Sequence, residues 1–169
     1  SERGEKEKGT VSGTNSPFAV VVSCSDMGTA PERIFGCGHG EIASIRVAGN
    51  LVDSVVLGSV ILAVRRYACP VVVVLGHDAC LALNTALSPD EFLIREPAPV
   101  IRIAEMLRED AGGPEKNDHD HHDCARSLAR AGVARIRDDS FVGERMREGL
   151  LRVVPALYLH DAGVVEWLY

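Results

Sequence analysis

The sequence predicts an α/β domain in which a mostly parallel central β-sheet is flanked by helices. Residues 71–75 are an unbroken Val-Val-Val-Val-Leu run between Pro70 and Gly76, and residues 18–23 form a second Val-rich run. Continuous β-branched segments of this kind suit strands covered on both faces, as in a parallel sheet. Between the two runs, residues 54–67 carry apolar side chains at Val55, Leu57, Val60, Ile61 and Val64. That is the spacing of a mostly buried helix, so strand, helix and strand follow in order.

The remaining elements follow along the chain. Residues 1–16 are nearly all polar or glycine and cannot bury enough apolar area to offset the entropy of ordering, so they read as a flexible tail ahead of a single domain over residues 17–169. After the first strand, Thr29, Pro31 and Glu32 supply the cap and first-turn chemistry of a short helix. Residues 42–46 suit a second strand, and Pro70 closes the helical connection before the run at 71–75. Residues 99–107 and 123–131 read as amphipathic helices separated by a polar loop over 112–122. Two closing strands, 151–159 and 164–168, are joined by a turn at 161–163.

Composition narrows the functional classes. A chain of 169 residues that is 46% apolar builds one core of its own and leaves no room for a second full domain. Its formal charge of -6 argues against nucleic-acid binding, which draws on clustered Lys and Arg to displace counterions. The apolar runs are too short to cross a bilayer and no leader pattern opens the sequence, so a soluble protein away from membranes is expected. Five cysteines is an odd number, and the most suggestive of them sit in metal-ligand contexts rather than disulfide ones; a reducing intracellular compartment, cytoplasm or organelle lumen, is expected.

Cys24 and His77 fall immediately after expected strands, where the carboxyl ends of a parallel sheet border a crevice. Cys80 follows His77 by three residues at a strand-to-helix turn, so both side chains converge on one point while Cys24 arrives from the neighbouring strand end. Two thiolates and an imidazole suit a zinc ion, and three protein ligands leave its fourth position to water in a catalytic site.

The surrounding text sharpens this reading. Cys24-Ser25-Asp26, Pro31-Glu32-Arg33, Arg46-Val47-Ala48-Gly49-Asn50 and Leu75-Gly76-His77-Asp78-Ala79-Cys80 occur in that order, and Ala156-Leu157-Tyr158 with Asp161-Ala162-Gly163 close the chain. This text resembles the β-class carbonic anhydrases, continuously from about residue 18 to 87 and again from 153 to 168. The resemblance implies that Cys24, His77 and Cys80 are the zinc ligands and that Asp26 stands beside the metal, orienting water or taking the fourth position. It implies reversible hydration of CO2 to bicarbonate and a proton, by a water that zinc acidifies toward ~7. It also implies a homodimer or a higher even oligomer.

The chain departs from the family pattern at Gly28, where the family has an Arg that clamps the aspartate, and at Ala43, Val47 and Leu81; it contains no glutamine. Three readings follow. The first is a carbonate dehydratase. The second is a zinc protein closed by Asp26, with a structural or regulatory subunit role. The third is a hydrolase of COS or CS2.

Plainer readings stand beside these. Asp26 can cap the helix that follows it, as Asp commonly does. Arg46 needs no catalytic explanation at a strand end. The His119 to Asp123 run reads as a solvated loop, and Cys37 and His39 lie in a Gly-rich turn. No role is assigned to Cys69 or Cys124. A cysteine-phosphatase loop would need Arg where Ala30 stands, and Gly36, Gly38 and Gly40 precede a strand rather than open a helix, which excludes a dinucleotide loop.

Overall fold

The computed structural model describes residues 16–111 and 121–169. The expected polar tail therefore lies, apart from Ser16, outside the described residues, as does most of the loop at 112–122. Five strands, β1 (Ala19–Cys24), β2 (Ile42–Val47), β3 (Val71–His77), β4 (Arg152–Leu159) and β5 (Val164–Trp167), form one sheet in the order β2-β1-β3-β4-β5. β2, β1, β3 and β4 run parallel, and β5 turns back antiparallel on β4 at the edge. The expected α/β class with a mostly parallel sheet is observed.

Burial follows strand position. Every residue of β1 is buried and so are the last six of β3, because helices cover both faces of these central strands. Edge strand β2 has only Ile42 buried. The helices α1 (Pro31–Ile34), α2 (Ser54–Tyr67), α3 (Leu81–Leu87), α4 (Asp90–Leu93), α5 (Ala98–Ala111), α6 (His121–Asp138) and α7 (Ser140–Arg147) fill the connections. α2 begins at Asp53, whose carboxylate accepts the Val55 and Val56 amides, and seats Val56, Val60 and Val64 in the core.

Three expectations need correction. The cap of α1 is Ala30, which has no side-chain hydrogen bond, so Pro31 at the first helical position carries the start in place of Thr29. The helix expected at 123–131 begins at His121 and runs to Asp138, because its buried stripe extends through Val133 and Ile136. His121 and His122 are thus its first turn rather than loop. α7, not anticipated, is started by Asp139, whose side chain accepts the Phe141 and Val142 amides.

The connections deliver the two central strands to one crevice. The parallel register Ser23↔Leu75 between β1 and β3 brings Cys24 and His77 to the same end of the sheet. α6 packs across that end, close enough that a Cβ at Gly76 would stand 3.2 Å from the Ala125 carbonyl oxygen.

Candidate metal centre

Cys24 is the last residue of β1, His77 the last of β3, and Cys80 the residue that caps α3. All three are buried, while the Asp26 side chain, on the loop after β1, keeps 27% of its surface exposed. One ligand atom from each of the four lies within 4.8 Å of all the others, the one such cluster among the described residues.

The donor set fits zinc in chemistry and in spacing. Cys24 Sγ and Cys80 Sγ are 3.7 Å apart, and two thiolates on a tetrahedral zinc with bonds of about 2.3 Å stand about 3.8 Å apart. His77 turns Nε2 toward the cluster, 2.9 Å from Asp26 Oδ1, and its Nδ1 is buried with no hydrogen-bond partner among the described residues. Nε2 is therefore the nitrogen on offer. Asp26 Oδ1 also stands 2.6 Å from Cys24 Sγ. Both contacts are shorter than the roughly 3.5 Å that ligands keep across a zinc ion, so the carboxylate draws inward as a hydrogen-bonding group.

Backbone amides hold the cluster from outside. Gly49 N–H donates to Cys24 Sγ at 3.0 Å, Leu83 N–H to Cys80 Sγ at 3.4 Å, and Leu81 N–H to Asp26 Oδ2 at 2.6 Å. Gly49 reaches its sulfur because its φ of 65° turns the chain in a left-handed step, the conformation glycine adopts without a Cβ penalty. Asp26 thus caps α3, which starts 55 residues later, and not the helix that follows it. The capping expectation holds in kind and fails in partner.

The charges respond to this packing. The hydrogen bond from Cys80 brings the Cys24 thiol down to about 5 against the opposing effect of burial, and the same hydrogen bond, with burial and then the charge on Cys24, pushes Cys80 up. Burial works against the Asp26 carboxylate, yet the bonds from Cys24 and the Leu81 amide, with the nearby His77, hold it below its ordinary value. Burial likewise opposes charge on His77, and Cys24 and Asp26 outweigh it. Thiols, a carboxylate and a histidine with a raised affinity for protons form a set from which a divalent cation can displace the protons.

A cavity of about 200 Å³ opens beside Asp26, with mostly apolar walls from Ala48, Leu81, Thr85 and Ile103 among others. On the far side, Asp78 receives the His160 amide at 3.1 Å and 3.2 Å and stands 2.7 Å from His160 Nδ1, joining the end of β3 to the β4–β5 hairpin.

The family model for carbonic anhydrase matches residues 19–165. The chain belongs to the carbonic anhydrase family, in its β class. Carbonic anhydrase 2 of Mycobacterium tuberculosis is 32% identical over 157 residues, which cover 87% of this chain and 72% of that protein. A carbonic anhydrase of Mycolicibacterium smegmatis is 38% identical over 86 residues, 51% of this chain and 42% of that one. Among solved structures, a tetrameric β-carbonic anhydrase of Sordaria macrospora superposes with a TM-score of 0.80 at 20% identity, covering 92% of this chain and 82% of that one. The Coccomyxa β-carbonic anhydrase in complex with acetazolamide gives 0.79 at 21%, covering 94% and 74%. At these identities the structural likeness speaks for the fold.

Cys24, Asp26, His77 and Cys80, singled out in the sequence, come together in this carbonic anhydrase fold. Cys37, Cys69 and Cys124 stand outside the cluster: Cys37 Sγ lies 3.6 Å from the Phe35 carbonyl oxygen, Cys69 donates to the Pro17 carbonyl at 3.2 Å, and Cys124 is buried on α6. His119 and Asp120 lie outside the described residues. The amides of Gly49, Leu81 and Leu83 escape sequence reading because no side chain announces them; only the glycine in Ala48-Gly49-Asn50 hints at a turn.

Proposed function

We propose that this chain catalyses the reversible hydration of CO2 to bicarbonate and a proton, holding a zinc ion on Cys24 Sγ, His77 Nε2 and Cys80 Sγ with Asp26 at or beside the fourth position. The observation that carries this reading is the buried Cys-His-Cys set with a sulfur spacing of 3.7 Å, in a chain of the carbonic anhydrase family. A zinc ion held there supplies a Lewis acid that acidifies a water for attack on carbon at neutral pH.

The chain's own groups do the rest. Cys24, its thiol already brought down to about 5, gives up its proton readily to become a ligand. The apolar wall of the cavity suits an uncharged, linear substrate that loses little hydration on entry. Leu81 N–H pins Asp26 Oδ2, so Oδ1 is the oxygen left to orient water or to take a proton from it.

A second reading, a zinc site closed by Asp26 with a structural or regulatory role, is favoured by Asp26 Oδ1 standing among the donors while Gly28 offers no side chain to draw it away. Stopped-flow CO2 hydration on zinc-replete protein, against Cys80→Ala, separates the two. Activity far above the variant, with zinc lost from the variant, supports the first. No activity at full zinc content refutes it in favour of the second.

We further propose an even homo-oligomer. The Sordaria macrospora relative is tetrameric, and strand β5 ends this sheet in an open edge with exposed Val164 and Trp167. Among the described residues no helix is long and apolar enough to cross a membrane. All five cysteines are free, which fits a reducing compartment.

A further inference from the structure

Two main-chain segments hold Asp26, and one of them depends on a single side chain. Arg46 stands on β2 opposite Ser23 of β1. Its guanidinium reaches over the strand end onto the loop that carries Asp26. Nε and Nη2 each donate to the Cys24 carbonyl at 3.3 Å, and Nη2 donates also to the Ser25 carbonyl at 3.2 Å and to the Met27 carbonyl. Those carbonyls lie before and after Asp26 in the chain. A guanidinium presents its N–H groups in a rigid planar fork and can gather several acceptors at once, which an ammonium on a flexible stem does less well. Gly28 gives the loop no side chain of its own for this purpose, and a Cβ there would meet no atom within 4 Å.

We infer that Arg46 is a positioning residue for Asp26: by binding the carbonyls of Cys24, Ser25 and Met27 it fixes the backbone of the loop, so that the carboxylate stands among the zinc-ligand atoms. The inference rests on the zinc reading of the Cys24, His77 and Cys80 cluster. The far end of Asp26 is held at Oδ2 by the Leu81 amide. With the near end fixed by Arg46, Oδ1 has a single resting place, 2.6 Å from Cys24 Sγ and 2.9 Å from His77 Nε2. Groups that orient a ligand-sphere carboxylate typically change metal affinity by about 10-fold to 100-fold when removed. Arg46 acts through main-chain atoms and so sets where the carboxylate sits without touching the metal.

Cobalt(II) in place of zinc makes this visible, because its ligand-field bands report the geometry around the ion and its thiolate charge-transfer band reports the sulfurs. Wild type, Arg46→Ala, Arg46→Lys, Asp26→Asn and the double variant Arg46→Ala/Asp26→Asn would each be titrated with cobalt(II). Arg46→Ala is expected to bind about tenfold more weakly, with its ligand-field bands moved toward those of Asp26→Asn. The double variant is expected to match Asp26→Asn alone, since residues acting through one group are not additive. Arg46→Lys is expected to fall between wild type and Arg46→Ala, and it decides the same question should the alanine variant fail to fold. Unmoved bands in the folded Arg46 variants, or additive shifts in the double variant, would overturn the inference while leaving the metal site intact. A wild-type protein without a thiolate charge-transfer band would instead overturn the metal site, and this inference with it.

Discussion

Replacing Gly49 by alanine strains two things at once. At φ of 65° a side chain costs about 1–2 kcal/mol relative to glycine. The added Cβ would stand 2.6 Å from Leu107 Cδ2 and 2.8 Å from Cδ1. Leu107 is completely buried and cannot swing into solvent, so overpacking adds about 1–3 kcal/mol. The sum, roughly 2–5 kcal/mol, lowers the thermal midpoint of a domain this size by roughly 5–15 °C. The assay is thermal denaturation of Gly49→Ala and of a control, Gly28→Ala, whose Cβ meets nothing within 4 Å. The control should stay within about 0.5 kcal/mol of wild type. Gly49→Ala should also weaken zinc binding, since relieving the clash moves the amide off Cys24 Sγ. A midpoint for Gly49→Ala equal to that of the control would refute both the strain and the packing argument.

Gly28→Arg places a cation beside Asp26 in open space, and an ion pair partly screened by water, worth about 1 kcal/mol, would draw the carboxylate off the donors and raise CO2 hydration roughly fivefold; an unchanged rate in zinc-replete, folded protein sinks the idea that Asp26 closes the site. Arg126 binds Glu166 through Nε at 3.2 Å and Nη2 at 3.0 Å, tying α6 to β5. That pairing, above all the hydrogen bond, holds Glu166 below its ordinary value, so the stability it contributes is present above the unfolded carboxylate range and is lost as pH falls through the folded one. Arg126→Ala should cost about 0.5–1 kcal/mol in urea denaturation at neutral pH, and the difference from wild type should shrink below about pH 4; a pH-independent difference would show that packing, not charge, is responsible.

The sheet and its ligand-bearing ends were legible because they are written in side-chain types. The Val-rich runs that become β1 and β3 can be little other than covered strands, and Cys24, His77 and Cys80 are rare residues at telling places. The bounds of α2 were legible, but its buried face only in part: Val60 and Val64 are buried as expected, whereas Val55 is exposed and Val56 takes its place in the core. α7 was not: over eight residues with one buried side chain, Val142, periodicity has too little length to register, and its start depends on the capping contacts of Asp139. Asp26 shows the other limit. Its capping chemistry was readable, but that its partner is Leu81, 55 positions away, is a property of the tertiary fold.

The polar groups around the ligand atoms are mostly peptide N–H groups, at Gly49, Leu81 and Leu83. A peptide dipole is the same whichever residue carries it, so the electrostatic surroundings of the site are inherited through the path of the backbone and not through the alphabet of its side chains. Drift can rewrite most of the wall around such a centre and leave its field in place, provided the turn at 48–50 and the step from strand to helix at 77–81 keep their shape.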